Sequence, residues 1–168
     1  MLIERSWRVT MADVDAAGII YYASPLRWAE VLLGDWLEHS GHSIAAMLGA
    51  GEAIPVVGVE VRYRAPLGLD DHLRLRLSAQ RIGTTSFTTR CDVWGPRTEH
   101  PAVEVAVTHA FGGYAPPRPG QGAEVSKQAL PPWLRKALAA GSDSEGSGSE
   151  GSDSEGSEDM GGERCAQN

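Results

Sequence analysis

Near residue 53, the spacing of apolar residues changes from a helical repeat to the alternation of a strand. Ser24 and Pro25 are typical of a helix start, and Gly41 is typical of a helix stop. Between these residues, apolar side chains occupy most of the helix circumference and leave one narrow polar stripe. Such a helix is largely buried, so we predict one long buried helix over residues 24–41.

Alternating apolar and polar residues predict strands on both sides of this helix. We expect a first strand over residues 3–11 and four more after residue 53, separated by turns that contain glycine or proline. Consecutive strands with short turns typically form an antiparallel meander with one buried face. A short helix over residues 43–48 and an amphipathic segment over residues 132–139 complete the pattern.

The order of these elements predicts an α+β fold of the hotdog type, in which a curved, five-stranded antiparallel sheet wraps one long buried helix. A single sheet covers a helix on one side only. Because the predicted helix is apolar around most of its girth, we expect a second copy of the chain to cover the rest. The sequence therefore predicts a homo-oligomer, either a dimer or a homotetramer.

The acidic charge of the chain belongs to its C-terminal segment. Residues 1–140 contain 14 basic and 14 acidic residues, whereas residues 141–168 contain 8 acidic residues and only Arg164 as a base. This segment consists almost entirely of Gly, Ser, Asp and Glu, a composition that cannot bury a core. We therefore predict one folded domain over residues 1–140 and a disordered acidic tail over residues 141–168. The tail either solubilises the protein or is regulated by phosphorylation of its serines.

Composition argues against several classes of protein. No run of 18 or more apolar residues is present, so we expect no membrane span. The first residues include Glu4 and Arg5 and lack the apolar stretch of a secretory signal. The two cysteines, Cys91 and Cys165, are too few for a disulfide framework or a zinc site, so we expect a reducing, cytoplasmic setting. The neutral body has no basic stripe, so we expect no nucleic acid partner.

The residues that carry chemistry lie between the first strand and the long helix. Asp13 and Asp15 stand two residues apart in a segment that reads ADVDAAGIIYYASP. The amides at a helix N-terminus can polarise a carbonyl group, and a nearby carboxylate can attack that group or activate a water. The same pattern also fits two loop aspartates in Asx-turns with Gly18 as a turn residue. The spacing leaves both interpretations open.

The stretch D-x-D-A-x-G-I-x-Y-Y resembles the signature of the 4-hydroxybenzoyl-CoA thioesterase family of hotdog proteins. The resemblance extends over residues 3–114 and includes Arg27 and Trp28 in the helix and Ser86 and Phe87 in a later strand. It implies an acyl-CoA thioesterase that uses no metal and no other cofactor. A catalytically idle acyl-binding or scaffolding hotdog protein is the alternative from another class.

The resemblance also implies roles for residues of the loop. It assigns Asp15 as the catalytic carboxylate, either a nucleophile or a general base. It assigns the backbone amide of Tyr22 to the thioester oxygen. Asp13 would support the loop by hydrogen bonding, and Gly18 would let the chain turn close to the substrate.

The acyl group is predicted only as a class, either aromatic and hydroxybenzoyl-like or short and aliphatic. Glu30 falls where family members with aromatic substrates carry a carboxylate near the distal end of the acyl group. An exposed ion pair between Glu30 and Arg27 is the favoured alternative. Trp28 can line a pocket for an aromatic acyl group, although plain core burial is the alternative.

Overall fold

The helices and strands of the structure follow the hydrophobic periods of the sequence. The computed structural model describes residues 1–119 and 122–141. In chain order, its elements are β1 (Ile3–Arg8), α1 (Ser24–His39), α2 (Ile44–Gly49), β2 (Glu52–Ala53), β3 (Val56–Tyr63), β4 (His72–Ile82), β5 (Ser86–Trp94), β6 (Val103–Ala110), β7 (Gly112–Ala115), β8 (Glu124–Lys127) and α3 (Pro132–Ala140).

Five strands form the main antiparallel sheet, in the order β1-β4-β5-β6-β3. The predicted meander is present in β4, β5 and β6, but β3 does not join it next to β4. Strand β1 occupies that edge of β4, with Ile3 opposite Leu77 and Arg8 opposite His72. Strand β3 therefore pairs with β6 and forms the opposite edge of the sheet. The remaining strands form a small sheet in the order β2-β7-β8.

The core lies between α1 and one face of the main sheet. Helix α1 contacts β1, β4, β5 and β6, and it buries Trp28, Leu32 and Leu37 among the inward-facing residues of these strands. Each fully buried aliphatic side chain of this kind contributes about 1.5–3 kcal/mol to the free energy of unfolding. The other side of α1 stays uncovered in a single chain, where Val31 is 43% exposed.

The ends of the helices follow the sequence signals with one correction. Ala23 is the N-cap of α1, not Ser24, and makes no capping hydrogen bond through its side chain. The Ser24 hydroxyl donates instead to the carbonyl of Asp13, at 2.9 Å. The predicted stop at Gly41 is confirmed, since this residue has a φ of +79° that favours glycine and follows the last helical turn.

The predicted amphipathic segment over residues 132–139 forms a helix that packs against the body. Helix α3 buries Leu134 and Leu138 and contacts β4. Gly141, predicted as the first residue of the tail, ends this helix, and its carbonyl accepts a hydrogen bond from the N-terminal ammonium of Met1 at 2.9 Å. The predicted acidic tail from residue 142 onward lies outside the described residues. None of the helices in the described ranges is long and apolar enough to cross a bilayer.

Candidate active site

The segment between β1 and α1 folds into a tight loop. Val14 and Ile20 form an isolated antiparallel bridge. Inside it, the Asp15 N–H donates to the carbonyl of Ile19 at 2.9 Å, and the Gly18 N–H donates to the carbonyl of Asp15 at 3.0 Å. Gly18 has a φ of +75°, which residues with a side chain rarely adopt. The sequence prediction of a glycine-dependent turn is therefore confirmed.

Asp13 is the internal anchor of this loop, with only 5% of its surface exposed. Its Oδ2 accepts hydrogen bonds from the Thr10 N–H at 2.9 Å and from the Thr10 hydroxyl at 2.7 Å. Its Oδ1 accepts from the Trp28 indole at 3.1 Å and from the Arg27 guanidinium at 3.3 Å. Burial is the largest single influence on the pKa of Asp13 and raises it, but these donors together hold the pKa below its usual value.

Asp15 lies at the surface of a single chain. Its Oδ1 accepts a hydrogen bond from the N–H of Ala17, two residues on, at 2.8 Å. This is the Asx-turn of the simpler interpretation. The two aspartates therefore lie in different environments, because Asp13 is buried among donors while Asp15 is exposed.

Backbone amides with no partner mark the start of α1. Within the part of the chain that the structure describes, the N–H groups of Tyr22 and Ala23 make no hydrogen bond. They stand before a 16-residue helix, whose N-terminal end carries partial positive charge. The Tyr22 carbonyl accepts a hydrogen bond from the Tyr63 hydroxyl of β3, which ties the helix start to the edge strand.

A pocket of about 430 Å³, here called the loop pocket, brings Asp15 and Tyr22 together. Burial raises the pKa of the Tyr63 phenol on its wall, and the neighbouring Tyr22 adds to the rise. The sequence alone does not place β3 and the segment after it at this pocket, because that contact depends on long-range pairing. The full lining is Asp15, Ile19, Ile20, Tyr22, Tyr63, Arg64, Ala65, Pro66 and Leu67.

A second pocket, here called the apolar pocket, has a volume of about 570 Å³. Ala23 lines this pocket, one residue after Tyr22 of the loop pocket, and the two linings share no residue. Glu30 and Arg27 of α1 also line it. The favoured expectation of an ion pair between them is wrong, because Arg27 reaches back to Asp13 and to the carbonyl of Ala12, at 2.8 Å. Glu30 thus brings a carboxylate to a largely apolar wall.

Trp28 lies in the core and lines neither pocket. Its ring is 1% exposed and its centroid is 6.2 Å from that of Trp7. Of the predicted site residues, the structure therefore brings Asp15 and Tyr22 together in the loop pocket, puts Glu30 in the apolar pocket, and buries Asp13 and Trp28. Within the described ranges, no group of three or more His, Cys, Asp or Glu side chains is arranged to hold a metal ion.

An open, five-stranded antiparallel sheet with one long helix across its face is the hotdog architecture, so the expected fold is confirmed. The family model described as the thioesterase superfamily matches residues 17–101, and the chain belongs to this superfamily. The matched segment contains Tyr22 and Glu30 and begins just after Asp15.

Several proteins named as thioester hydrolases are similar to this chain. A 1,4-dihydroxy-2-naphthoyl-CoA hydrolase of Thermosynechococcus vestitus is 29% identical over 138 residues, which cover 82% of this chain and 91% of the relative. The acyl-CoA thioester hydrolase YbgC of Escherichia coli is 34% identical over 85 residues, 49% of this chain and 63% of the relative. A crystal structure of a 1,4-dihydroxy-2-naphthoyl-CoA thioesterase from Synechocystis has the same fold, with a TM-score of 0.68, 20% identity and coverage of 81% and 94% of the two chains.

Proposed function

We propose that this protein hydrolyses an acyl-CoA thioester to a free acid and CoA. The observation that carries the proposal is the loop pocket, where a carboxylate from Asp15 and the helix start at Tyr22 line one space. The unpartnered N–H of Tyr22 supports it further, since a polar group at a helix start without a partner is suited to a ligand oxygen. Similar proteins named as thioester hydrolases agree with this chemistry.

In the proposed reaction, the thioester oxygen accepts a hydrogen bond from the Tyr22 amide. This contact strengthens as negative charge develops on the oxygen, and one such donor typically lowers the barrier by about 3 kcal/mol. The partial positive charge of the helix start acts in the same direction. The carbonyl carbon consequently becomes more electron-poor and open to attack.

Asp15 supplies the attack in one of two ways. As a nucleophile, its carboxylate bonds to the carbonyl carbon, CoA leaves as the thiolate, and water then hydrolyses the mixed anhydride. As a general base, it takes a proton from a water that attacks the same carbon, and that proton ends on the departing thiolate. Both routes consume one water and release one acid and one thiol.

The acyl group is proposed to be aromatic. An acyl group held at Tyr22 would extend into the apolar pocket, whose lining includes the next residue, Ala23, and whose volume of about 570 Å³ lies within the range of small-molecule sites. The names of two similar proteins contain a naphthoyl group, which agrees with a wide apolar pocket. Glu30 supplies a polar contact for the distal end of such a group, as the family resemblance implies.

The site is proposed to be completed by a second copy of the chain. Strand β3 pairs with β6 on one side only, and its apolar residues are exposed, with Val57 at 61% and Val59 at 50%. An edge of this kind favours pairing with another strand. Because Tyr63 at the end of β3 lines the loop pocket, a partner there would also shelter Asp15 from solvent. The protein would then be a homodimer, or a homotetramer of two such dimers.

The test is release of free thiol from a panel of acyl-CoAs by the full-length protein. The panel contains benzoyl-CoA, hydroxybenzoyl-CoA, hydroxynaphthoyl-CoA and straight-chain acyl-CoAs. We expect kcat/KM for the best substrate to fall at least about 1000-fold in Asp15→Asn, with Tm unchanged. Asp35→Asn is the matched control, because Asp35 makes a half-buried ion pair with Arg5 that lines neither pocket, and the substitution should leave activity unchanged. Binding of acyl-CoA without thiol release would overturn the proposal in favour of a scaffold, and near wild-type activity of Asp15→Asn would overturn the mechanism.

A further inference from the structure

Two polar side chains from the sheet line the apolar pocket and take no part in the proposed reaction. They are Thr89 of β5 and His109 of β6. In the sheet register, Thr89 lies opposite Val107 and His109 lies opposite Phe87, so the two are diagonal neighbours on adjacent strands. Both are buried, at 2% and 5% exposure. Polar residues on an otherwise apolar inner face require a structural or functional explanation.

The contacts of His109 define which of its ring nitrogens is available. Its Nδ1 lies 3.2 Å from the carbonyl of Ile54. A carbonyl can only accept a hydrogen bond, so Nδ1 carries the hydrogen and the neutral ring presents the lone pair of Nε2. Burial lowers the pKa of His109 and keeps the ring neutral near pH 7. The ring stacks on Phe87 with centroids 5.1 Å apart, which fixes its plane.

Neither Nε2 of His109 nor the hydroxyl of Thr89 has a hydrogen-bond partner among the described residues. The threonines on the other face of the same strands differ, because the hydroxyls of Thr88 and Thr108 bond to each other at 2.9 Å. Buried polar groups are almost always paired. An unpaired acceptor beside an unpaired hydroxyl, both on the wall of a pocket, indicates a ligand group that can donate to one and accept from the other.

We propose that His109 and Thr89 recognise a hydroxyl group on the aromatic ring of the acyl chain. The ring hydroxyl donates to Nε2 of His109 and accepts from the hydroxyl of Thr89. A neutral hydroxyl suits this pair, because the neutral ring of His109 and the hydroxyl of Thr89 offer an acceptor and a donor without charge. This inference rests on the proposed function, since it requires the acyl group to enter the apolar pocket, and it makes these residues determinants of specificity.

The experiment compares kcat/KM for the three hydroxybenzoyl-CoA isomers with kcat/KM for benzoyl-CoA. Thr89→Val removes the hydroxyl at nearly constant shape, and His109→Phe keeps a ring that can stack on Phe87. We expect each substitution to lower kcat/KM for the best hydroxylated substrate about tenfold more than it lowers kcat/KM for benzoyl-CoA, so that the preference falls about tenfold. Thr108→Val, on the other face of β6, is the matched control and should leave the preference unchanged.

An unchanged preference in Thr89→Val and His109→Phe, or an equal loss on both substrates, would overturn the inference. Calorimetric binding of hydroxybenzoate and benzoate separates it from the proposed function. If no acyl-CoA is hydrolysed, the proposed function fails. The ratio of the two Kd values then tests the inference by itself. The inference is supported if this ratio favours hydroxybenzoate in the wild type and the preference is lost in Thr89→Val. Equal ratios in both proteins would refute it.

Discussion

The indole N–H of Trp28 donates a hydrogen bond to Oδ1 of Asp13 across 3.1 Å, and both residues are buried. This bond joins α1 to the loop that carries Asp15 two residues later. The opposite oxygen of Asp13 is held by Thr10 at the end of β1. The position of the exposed Asp15 relative to the start of α1 therefore depends on hydrogen bonds made in the core beneath it.

Trp28→Phe tests this dependence, because it keeps an aromatic ring in the core and removes only the N–H. The buried oxygen of Asp13 then loses one of its donors. We expect the free energy of unfolding to fall by about 1–2 kcal/mol and kcat for thioester hydrolysis to fall with it, as the loop becomes less well positioned. Urea denaturation and thiol release measure the two effects.

Trp36→Phe is the control for that substitution. Trp36 is also buried in α1, but its indole makes no hydrogen bond within the described part of the chain. This variant should lose some packing and retain its kcat. Equal kcat values in Trp28→Phe and Trp36→Phe would show that the bond to Asp13 does not position the loop.

We predict that Asp13→Asn changes the pH dependence of the free energy of unfolding. Because the pKa of Asp13 in the fold lies below its usual value of 3.8, the folded state favours the ionised form. That stabilisation is complete above pH 3.8 and is lost as the pH falls through the lower folded value. We expect Asp13→Asn to lower the free energy of unfolding by about 2 kcal/mol at pH 6, and the difference from the wild type to shrink below pH 4.

Urea denaturation from pH 6 to pH 2.5 at constant protein concentration measures this difference. The control is Asp35→Asn, which removes a half-buried ion pair with Arg5 and should change the free energy of unfolding by less than about 1 kcal/mol. A difference between the wild type and Asp13→Asn that stays constant with pH would contradict the ionised state of Asp13.

Local features of this fold follow from the sequence. The start and stop of α1, the left-handed turn at Gly18 and the alternation in β4 to β6 each depend on residues close in the chain. The family motif added the chemistry of the loop only as an expectation. The order of the strands in the sheet could not be predicted from the sequence. Strand β3 could pair with β4 or with β6, and only the position of β1 decides between them.

The environment of each site residue was also beyond the sequence. Spacing could not tell that Asp13 is buried and Asp15 exposed, or that Arg27 pairs with Asp13 and not with Glu30. One signal in the sequence does point to His109. His109 continues the inward-facing series Val103, Val105 and Val107 of β6, and a polar residue in such a series points either to a buried hydrogen bond or to a pocket.

Two glycines give opposite predictions on substitution by alanine. A Cβ at Gly18 or at Gly34 would have no heavy atom within 4 Å, so the backbone alone decides the result. Gly18 has a φ of +75°, and Gly18→Ala should lower the free energy of unfolding by about 1 kcal/mol. Gly34 lies inside α1, and Gly34→Ala should raise it by about 0.5–1 kcal/mol. Thermal and urea unfolding measure both, and a destabilised Gly34→Ala would contradict the prediction and indicate close contact from another chain.

The exposed edge at β3 predicts the oligomeric state. We expect light scattering at micromolar concentration to give the wild type a mass of two or four chains. Val57→Asp, which puts a charge on this edge, should shift the protein to a monomer, because a carboxylate without a partner opposes burial at an interface. Leu69→Asp is the control, since Leu69 is 42% exposed but lies outside β3. A monomeric wild type, or the same mass for both variants, would contradict pairing at β3. If the pairing holds, Val57→Asp should also lose thioester hydrolysis, because Tyr63 at the end of the same strand lines the pocket that contains Asp15.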